Sequence, residues 1–270
     1  MKYMNESIGG VHHDEILDLI RNQVTEGTPV WIAGSLVEGI GNDSSDIDVY
    51  MVVEDLNTIK EFVTDGCRFK IQIHYFKSRR VDVEIWSYES IDRLASKIDS
   101  LQVDNAENSF LDALDENEID FAHRIFNCRV VRNTDAYADI VDRFDRVKIN
   151  RYLFENKRIY IDDSFDDTVG MLNSGNISGA IRRSQETLEF SIDLLLYSKG
   201  WTNPKNKHRF KILEAIYESD IDAREVYLDY WSFMHNLPIN KYDKRDYVNT
   251  ALHLSEKMVE KAYCLRREAV

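Results

Sequence analysis

Cysteine is scarce in this chain: Cys67, Cys128 and Cys264 are odd in number and far apart among 270 residues. That spacing suggests neither a disulfide framework nor a zinc knuckle and predicts buried, chemically quiet thiols. Long apolar runs are missing too. No stretch approaches the ~20 apolar residues of a membrane span, and the opening MKYMNESIGGVHHDE has no apolar core of a signal peptide. A cytoplasmic protein with no membrane partner is expected. Positive charge is in deficit, 34 Lys and Arg against 48 Asp and Glu, for a formal charge of −14. Sequence-independent binding to a polyanion draws most of its affinity from phosphate neutralisation, so a long nucleic acid is disfavoured as partner. There is no internal repeat, no low-complexity tract and no basic stripe to track a polynucleotide.

What is present is enough apolar material for a sizeable core, 43% of residues, at a length that suits two modest domains. EILDLIRNQV places Ile16, Leu17, Ile20 and Val24 at helical spacing, and PVWIAGS reads as a short buried strand ended by Gly34. DIDVYMVV, FKIQIHYF and RVDVEIW alternate with period two, so residues 29–86 predict a small mixed sheet. A helical stripe follows at Ile91, Leu94, Ala95 and Ile98, then a second helix through FLDALDENEIDFAHRIF and a last short strand in CRVV. From about residue 145 the pattern is helical throughout. The clearest runs carry Ile181, Leu188, Ile192, Leu195 and Leu196, with Gly200 placed to stop the helix; Phe210, Leu213, Ile216 and Tyr217; and Tyr247, Ala251, Leu254, Met258, Ala262 and Leu265. The expected fold is α+β, a mixed-sheet domain over 1–145 and an all-α helical bundle over 146–270.

The stretch GSLVEGIGNDSSDIDVY puts two acids one residue apart on a strand. Residues i and i+2 share a face, so Asp46 and Asp48 point together while Ile47 and Val49 point into the core. Two such carboxylates raise each other's pKa unless a cation neutralises them, and magnesium suits all-oxygen ligands. RVDVEIW gives a second acidic strand face with Asp82 and Glu84. Three carboxylates can bridge two ions roughly 3.5–4 Å apart, a geometry suited to in-line displacement at phosphorus. Gly34 lets a ligand approach the backbone, and the N–H groups of a following helix LVEGI, with the Ser35 hydroxyl, would cradle phosphates. An Asp-x-Asp alone in an acidic chain is a solvated strand end; the Gly-Ser, the spacing and the second acidic strand together argue for a site.

Gly-Ser after an apolar strand, about ten residues, Asp-x-Asp on the next strand and a further acid on a later one together resemble the nucleotidyltransferase superfamily related to DNA polymerase β. In size and in its helical second half the chain is most similar to bacterial aminoglycoside nucleotidyltransferases. The motifs span residues 29–86, and the two-domain plan extends over the rest. The resemblance implies an enzyme that moves NMP, AMP from ATP, to an acceptor hydroxyl and releases pyrophosphate. Asp46, Asp48 and Asp82 would be catalytic magnesium ligands, with two ions, and Ser35 a phosphate contact. This chain offers two acids at the third position: Asp82 is preferred as ligand and Glu84 as general base, and the roles can be exchanged.

Lys205 and Lys207, with His208 and Arg209, form a basic loop between two helices. It would reach the β- and γ-phosphates across a cleft, or simply be a solvated loop. Arg182 and Arg183 suggest interdomain salt bridges, and Glu84 on its own would be explained by pairing with Arg79 or Arg80. The histidines show no metal spacing, and His12-His13 falls in a segment expected to be mobile. A nucleoside triphosphate and a small, polyhydroxylated acceptor, an aminoglycoside-like antibiotic among them, are the expected partners, and a homodimer is left open. Transfer of AMP to a protein side chain and a catalytically silent regulatory module of the same fold are the alternatives.

Overall fold

The computed structural model describes residues 7–66, 68–103, 111, 113–235 and 243–268. Cys67 and two residues of the expected second helix, Phe110 and Asp112, lie outside them. The chain divides into two compact units, 1–101 with 114–146, and 102–113 with 147–270. The first is a mixed sheet with helices, and the second, among the described residues, is helical, so the fold is α+β. No described helix is long and apolar enough to cross a membrane.

The sheet unit opens with a small antiparallel ladder of β1 (Ser7–Ile8) and β2 (Val11–His12). His12, expected to be mobile, instead caps α1 (His13–Ile20): its ring accepts from the Asp14 N–H, and Glu15 accepts from the His12 N–H at 2.8 Å. This reciprocal cap satisfies two donors at the helix start. The helix stops at Ile20, short of Val24, where the Gln23 N–H turns back to the Ile20 carbonyl.

The main sheet contains β3 (Val30–Ala33), β4 (Ile47–Val53), β5 (Thr64–Asp65), β6 (Phe69–Phe76), β7 (Arg79–Ser87) and β8 (Cys128–Arg132). Their order is β5-β6-β7-β4-β3-β8, with β4 and β7 parallel and the other neighbours antiparallel. A two-residue turn joins β6 to β7, and both of its residues, Lys77 (φ 48) and Ser78 (φ 69), are left-handed. That hand matches the twist of the strands it connects.

Alternation gives the two faces different jobs. One carries Ile47, Val49, Met51, Val81, Val83 and Ile85, closed by Ile16 and Ile20 of α1. The other changes character along its length. Trp31 stacks on Tyr50 at 5.8 Å and Phe69 on Trp86 at 5.1 Å, and Phe121 of α3 (Glu116–Phe126) covers them, 4.4 Å from Trp86. Beyond this aromatic half the same face carries Asp48, Asp82 and Glu84.

The connecting helices follow from their caps. Ser87 accepts from the Ser90 N–H and starts α2 (Tyr88–Ser100), which buries Ile91, Leu94, Ala95 and Ile98 as its stripe predicts. Asp115 and Glu118 form a capping box, so α3 begins later than the apolar pattern suggested. Arg68 and Lys97 hold Glu118 at 2.8 and 2.6 Å. A further helix, α4 (Thr134–Val141), follows β8.

The helical unit contains α5 (Arg146–Asn173), α6 (Ile177–Ser198), α7 (Arg209–Ile216), α8 (Ile221–His235) and α9 (Asp243–Glu268). Leu188, Ile192, Leu195 and Leu196 are buried on α6, and Tyr247, Ala251, Met258 and Ala262 on α9. Gly200, at φ +84, ends α6, with the Trp201 N–H reaching back to the Leu196 carbonyl. Helix α7 departs from its expected stripe and buries Arg209, Ile212 and Leu213. Arg209 is therefore no loop cation: it chelates Asp193 at 2.6 and 2.7 Å and Glu189 at 2.7 Å. Arg182 and Arg183 pair with Glu186, and Arg183 also with Asp167, all inside this unit rather than between domains. Nor are all the thiols buried, since Cys128 is half-buried and Cys264 exposed.

Removing one partner of a buried pair strands the other charge. Asp193→Ala is expected to lower the free energy of unfolding by about 3–5 kcal/mol in urea denaturation followed by circular dichroism, and Glu189→Ala by less.

Candidate functional site

The pairing of β4 with β7 sets Asp48 directly beside Asp82, and Tyr50 beside Glu84. Parallel neighbours in register present their side chains to the same face, so two acids from distant sequence meet there. Asp46 stands just ahead of β4, near enough for its charge to act on Asp48 and on Arg80. Its loop is fixed: Ser44 N–H bonds to Asn42 Oδ1 at 2.9 Å, and Arg79 donates to the carbonyls of Ser45 and Asp43.

Helix α3 supplies what the sequence reading missed. Phe121 anchors it on the aromatic half of the face, and Asp120 and Arg124, four residues apart, reach the acidic half. Arg124 Nη1 lies 3.2 Å from Asp48 Oδ2 and its Nε 3.3 Å from Asp120 Oδ1. Burial works against the guanidinium charge, but Tyr50, Asp120, Asp48 and Glu38 hold its pKa above the ordinary value. The helical spacing of Asp120, His123 and Arg124 was the available signal; nothing in it says which sheet face they meet.

Gly34 has φ +92, and a Cβ built there would overlap Asp48 Oδ2 and Arg124 Nη1. The ion pair occupies the room that a side chain would take. Ser35 is half-buried just after it. The expected helix LVEGI is instead a compact turn: Val37 and Glu38 N–H bond to the Gly34 carbonyl, and Ile40 and Gly41 N–H to the Ser35 carbonyl. Two glycines in LVEGIG do not sustain a helix, yet the first N–H groups of such a turn, those of Ser35 and Leu36, lie outside its internal bonding pattern. Glu38 accepts a bond of 3.1 Å from buried His123, which ties the turn to α3.

The two acids of β7 have different surroundings. Asp82 is chelated by Arg80 through Nε and Nη2, both at 2.6 Å. Glu84 accepts from the indole N–H of Trp86 at 2.6 Å, so its partner is neither Arg79 nor Arg80. Burial pushes Glu84 up to about 7, against the pull of the Trp86 bond. Burial likewise pushes Asp48 up to about 6; Arg124 opposes the rise, and Asp46, Asp120 and Asp82 add to it.

The donor set is all carboxylate oxygen, the chemistry that suits a hard divalent cation. Among the described residues, however, no group of three or more His, Cys, Asp or Glu side chains converges to hold a metal. Guanidinium groups hold Asp48 and Asp82 instead. Lys205 and Lys207 belong to the helical unit, at the short turn Asn206–His208 ahead of α7, and the four acids with Gly34 and Ser35 belong to the sheet unit.

Two outcomes follow from this geometry. Gly34→Ala should cost about 2 kcal/mol more stability than Gly10→Ala in urea denaturation, since both positions have positive φ but an added Cβ at Gly10 meets nothing. Because the folded pKa of Glu84 is raised, its burial is free of penalty below the unfolded value near 4.5, and the penalty grows as pH rises towards 7. Glu84→Gln, which keeps an oxygen for Trp86, should therefore raise the melting temperature at pH 8 and leave it nearly unchanged at pH 4.5.

No family model matches the sequence, and no curated protein matches it. Among solved structures, the chain is similar to a nucleotidyltransferase-like protein from Exiguobacterium sibiricum 255-15, with 12% identity over 93% of this chain and 74% of that one and a TM-score of 0.48.

Proposed function

We propose that this chain is a divalent-cation-dependent nucleotidyltransferase that moves AMP from ATP to a hydroxyl of a small polyhydroxylated acceptor, such as an aminoglycoside-like antibiotic, and releases pyrophosphate. The observation that supports the reading is the meeting of Asp48 and Asp82 on adjacent parallel strands, with Asp46 close by. Asp46, Asp48 and Asp82 would hold magnesium, which when bound would lower the pKa of the acceptor hydroxyl and offset the charge of the triphosphate. Gly34 and the Ser35 hydroxyl would receive phosphate oxygens at the start of their turn. Glu84, with a carboxyl pushed up to about 7, has the proton affinity of a general base working near neutrality. Lys205 and Lys207 as contacts to the β- and γ-phosphates, and acceptor binding by the helical unit, belong to the same proposal. A cytoplasmic setting, where ATP and magnesium are at hand, fits it.

The test is a screen of acceptor hydroxyl compounds with α-labelled ATP and magnesium, scored by pyrophosphate release. Asp48→Asn is expected to lower the rate by about a hundredfold or more. Retained transfer in that variant, or no magnesium-dependent ATP binding in calorimetry, overturns the reading. Label appearing on a protein band rather than in small molecules would move the acceptor class to a protein side chain.

A further inference from the structure

The turn after Gly34 is gripped at two points by the last turn of α3. At its start, Arg124 and Asp48 fill the space beside Gly34 where a side chain would stand. Further along, His123 Nε2 lies 3.1 Å from Glu38 Oε2, and the two side chains are only 3% and 7% exposed. Leu36 and Val37, between those contacts, pack against the aliphatic core. The N–H groups of Val37 and Glu38 bond to the Gly34 carbonyl, so those of Ser35 and Leu36 are the ones outside the turn's own bonding. An anion site made of backbone N–H groups works only if the backbone that presents them is held still. Two glycines in LVEGIG give this backbone little stiffness of its own.

The hydrogen bonds fix which ring nitrogen of His123 carries the proton. Asn127 caps the end of α3, and its side-chain nitrogen lies 2.8 Å from the His123 carbonyl oxygen and 3.1 Å from His123 Nδ1. A carbonyl oxygen only accepts, so the atom facing it is the amide NH₂ of Asn127 rather than its oxygen. The same NH₂ group donates to Nδ1, which therefore has no proton, and the ring proton sits on Nε2, aimed at Glu38. Asn127, His123 and Glu38 form one directed chain of donors from the end of α3 to the turn.

We propose that His123 is a positioning residue for the nucleotide's phosphates: by donating from Nε2 to Glu38 it holds the turn in the conformation that offers the Ser35 and Leu36 N–H groups and the Ser35 hydroxyl to a phosphate oxygen. The inference rests on the nucleotide-binding reading above. His123 acts on the ligand only through the turn, so what matters is the donor it presents to Glu38 and not the ring as such.

The experiment compares two amide substitutions in the full chain. His123→Gln puts an amide N–H where the imidazole Nε2 was, whereas the shorter amide of His123→Asn stops near the place of Nδ1. ATP affinity in magnesium buffer is measured by calorimetry, and stability by thermal melting. His123→Asn is expected to weaken ATP binding about tenfold and His123→Gln by no more than about threefold, although both lose the ring and melt at a lower temperature than the unsubstituted protein. A merely structural role would make affinity follow melting temperature and treat the two amides alike. Equal ATP affinity in the two variants, or undiminished affinity in His123→Asn, overturns the inference while the nucleotide-binding reading stands. Absence of ATP binding in the unsubstituted protein overturns that reading and this inference with it. The tautomer has a readout that does not depend on either variant folding: nitrogen-15 NMR of the unsubstituted protein should show the His123 ring protonated at Nε2 alone, and a proton on Nδ1 overturns the inference.

Discussion

A carboxylate drawn partly out of water needs a cation, and in this protein the Asp48–Arg124 pair meets that need across the backbone of Gly34. The arrangement is mutual. Arg124 is tolerated near the interior because acids from three directions surround it, and Asp48 keeps its place because Arg124 is held. The pair fits because position 34 lacks a side chain. The end of β3, the start of β4 and the last turn of α3 are therefore linked through one contact, and Phe121 fixes the helix that makes it. The neighbouring residue of α3, His123, bonds Glu38 and so joins the helix to the segment after Ser35.

The same face separates packing from chemistry along its strands. Aromatic residues at one end exclude water and give α3 a foothold; at the other, arginines hold Asp48 and Asp82, and the Trp86 indole holds Glu84. Burial raises Asp48 and Glu84, while Asp82 is held by the exposed fork of Arg80. Acids that share a face but differ in surroundings can divide the roles of ligand and base.

Much of the sheet was legible in the sequence because strand alternation is local. Asp48, Asp82 and Glu84 fall on one face for the same reason that Ile47, Val81 and Val83 fall on the other. The register that brings Asp48 to Asp82 was not legible, since parallel pairing joins residues far apart in the chain. Nor was the part played by α3. Its apolar residues reveal that it packs, but Asp120 and Arg124 look like ordinary surface charges until the partner face is known. Arg209 misled for a related reason: a basic run reads as exposed, and only the acids of α6 make an interior position affordable. After Gly34 the sequence suggested a helix, and two glycines within six residues left only a turn.

The left-handed pair Lys77-Ser78 determines which side of β7 is which. A strand reads out its residues alternately, so a shift by a single position would bring Val81 and Val83 to the acidic face and turn Asp82 and Glu84 into the aliphatic core. A two-residue connection leaves no slack to absorb such a shift. The hairpin thus acts as a reading frame for the site: a one-residue insertion or deletion between the strands would exchange their contents wholesale, with every acid still present in the chain.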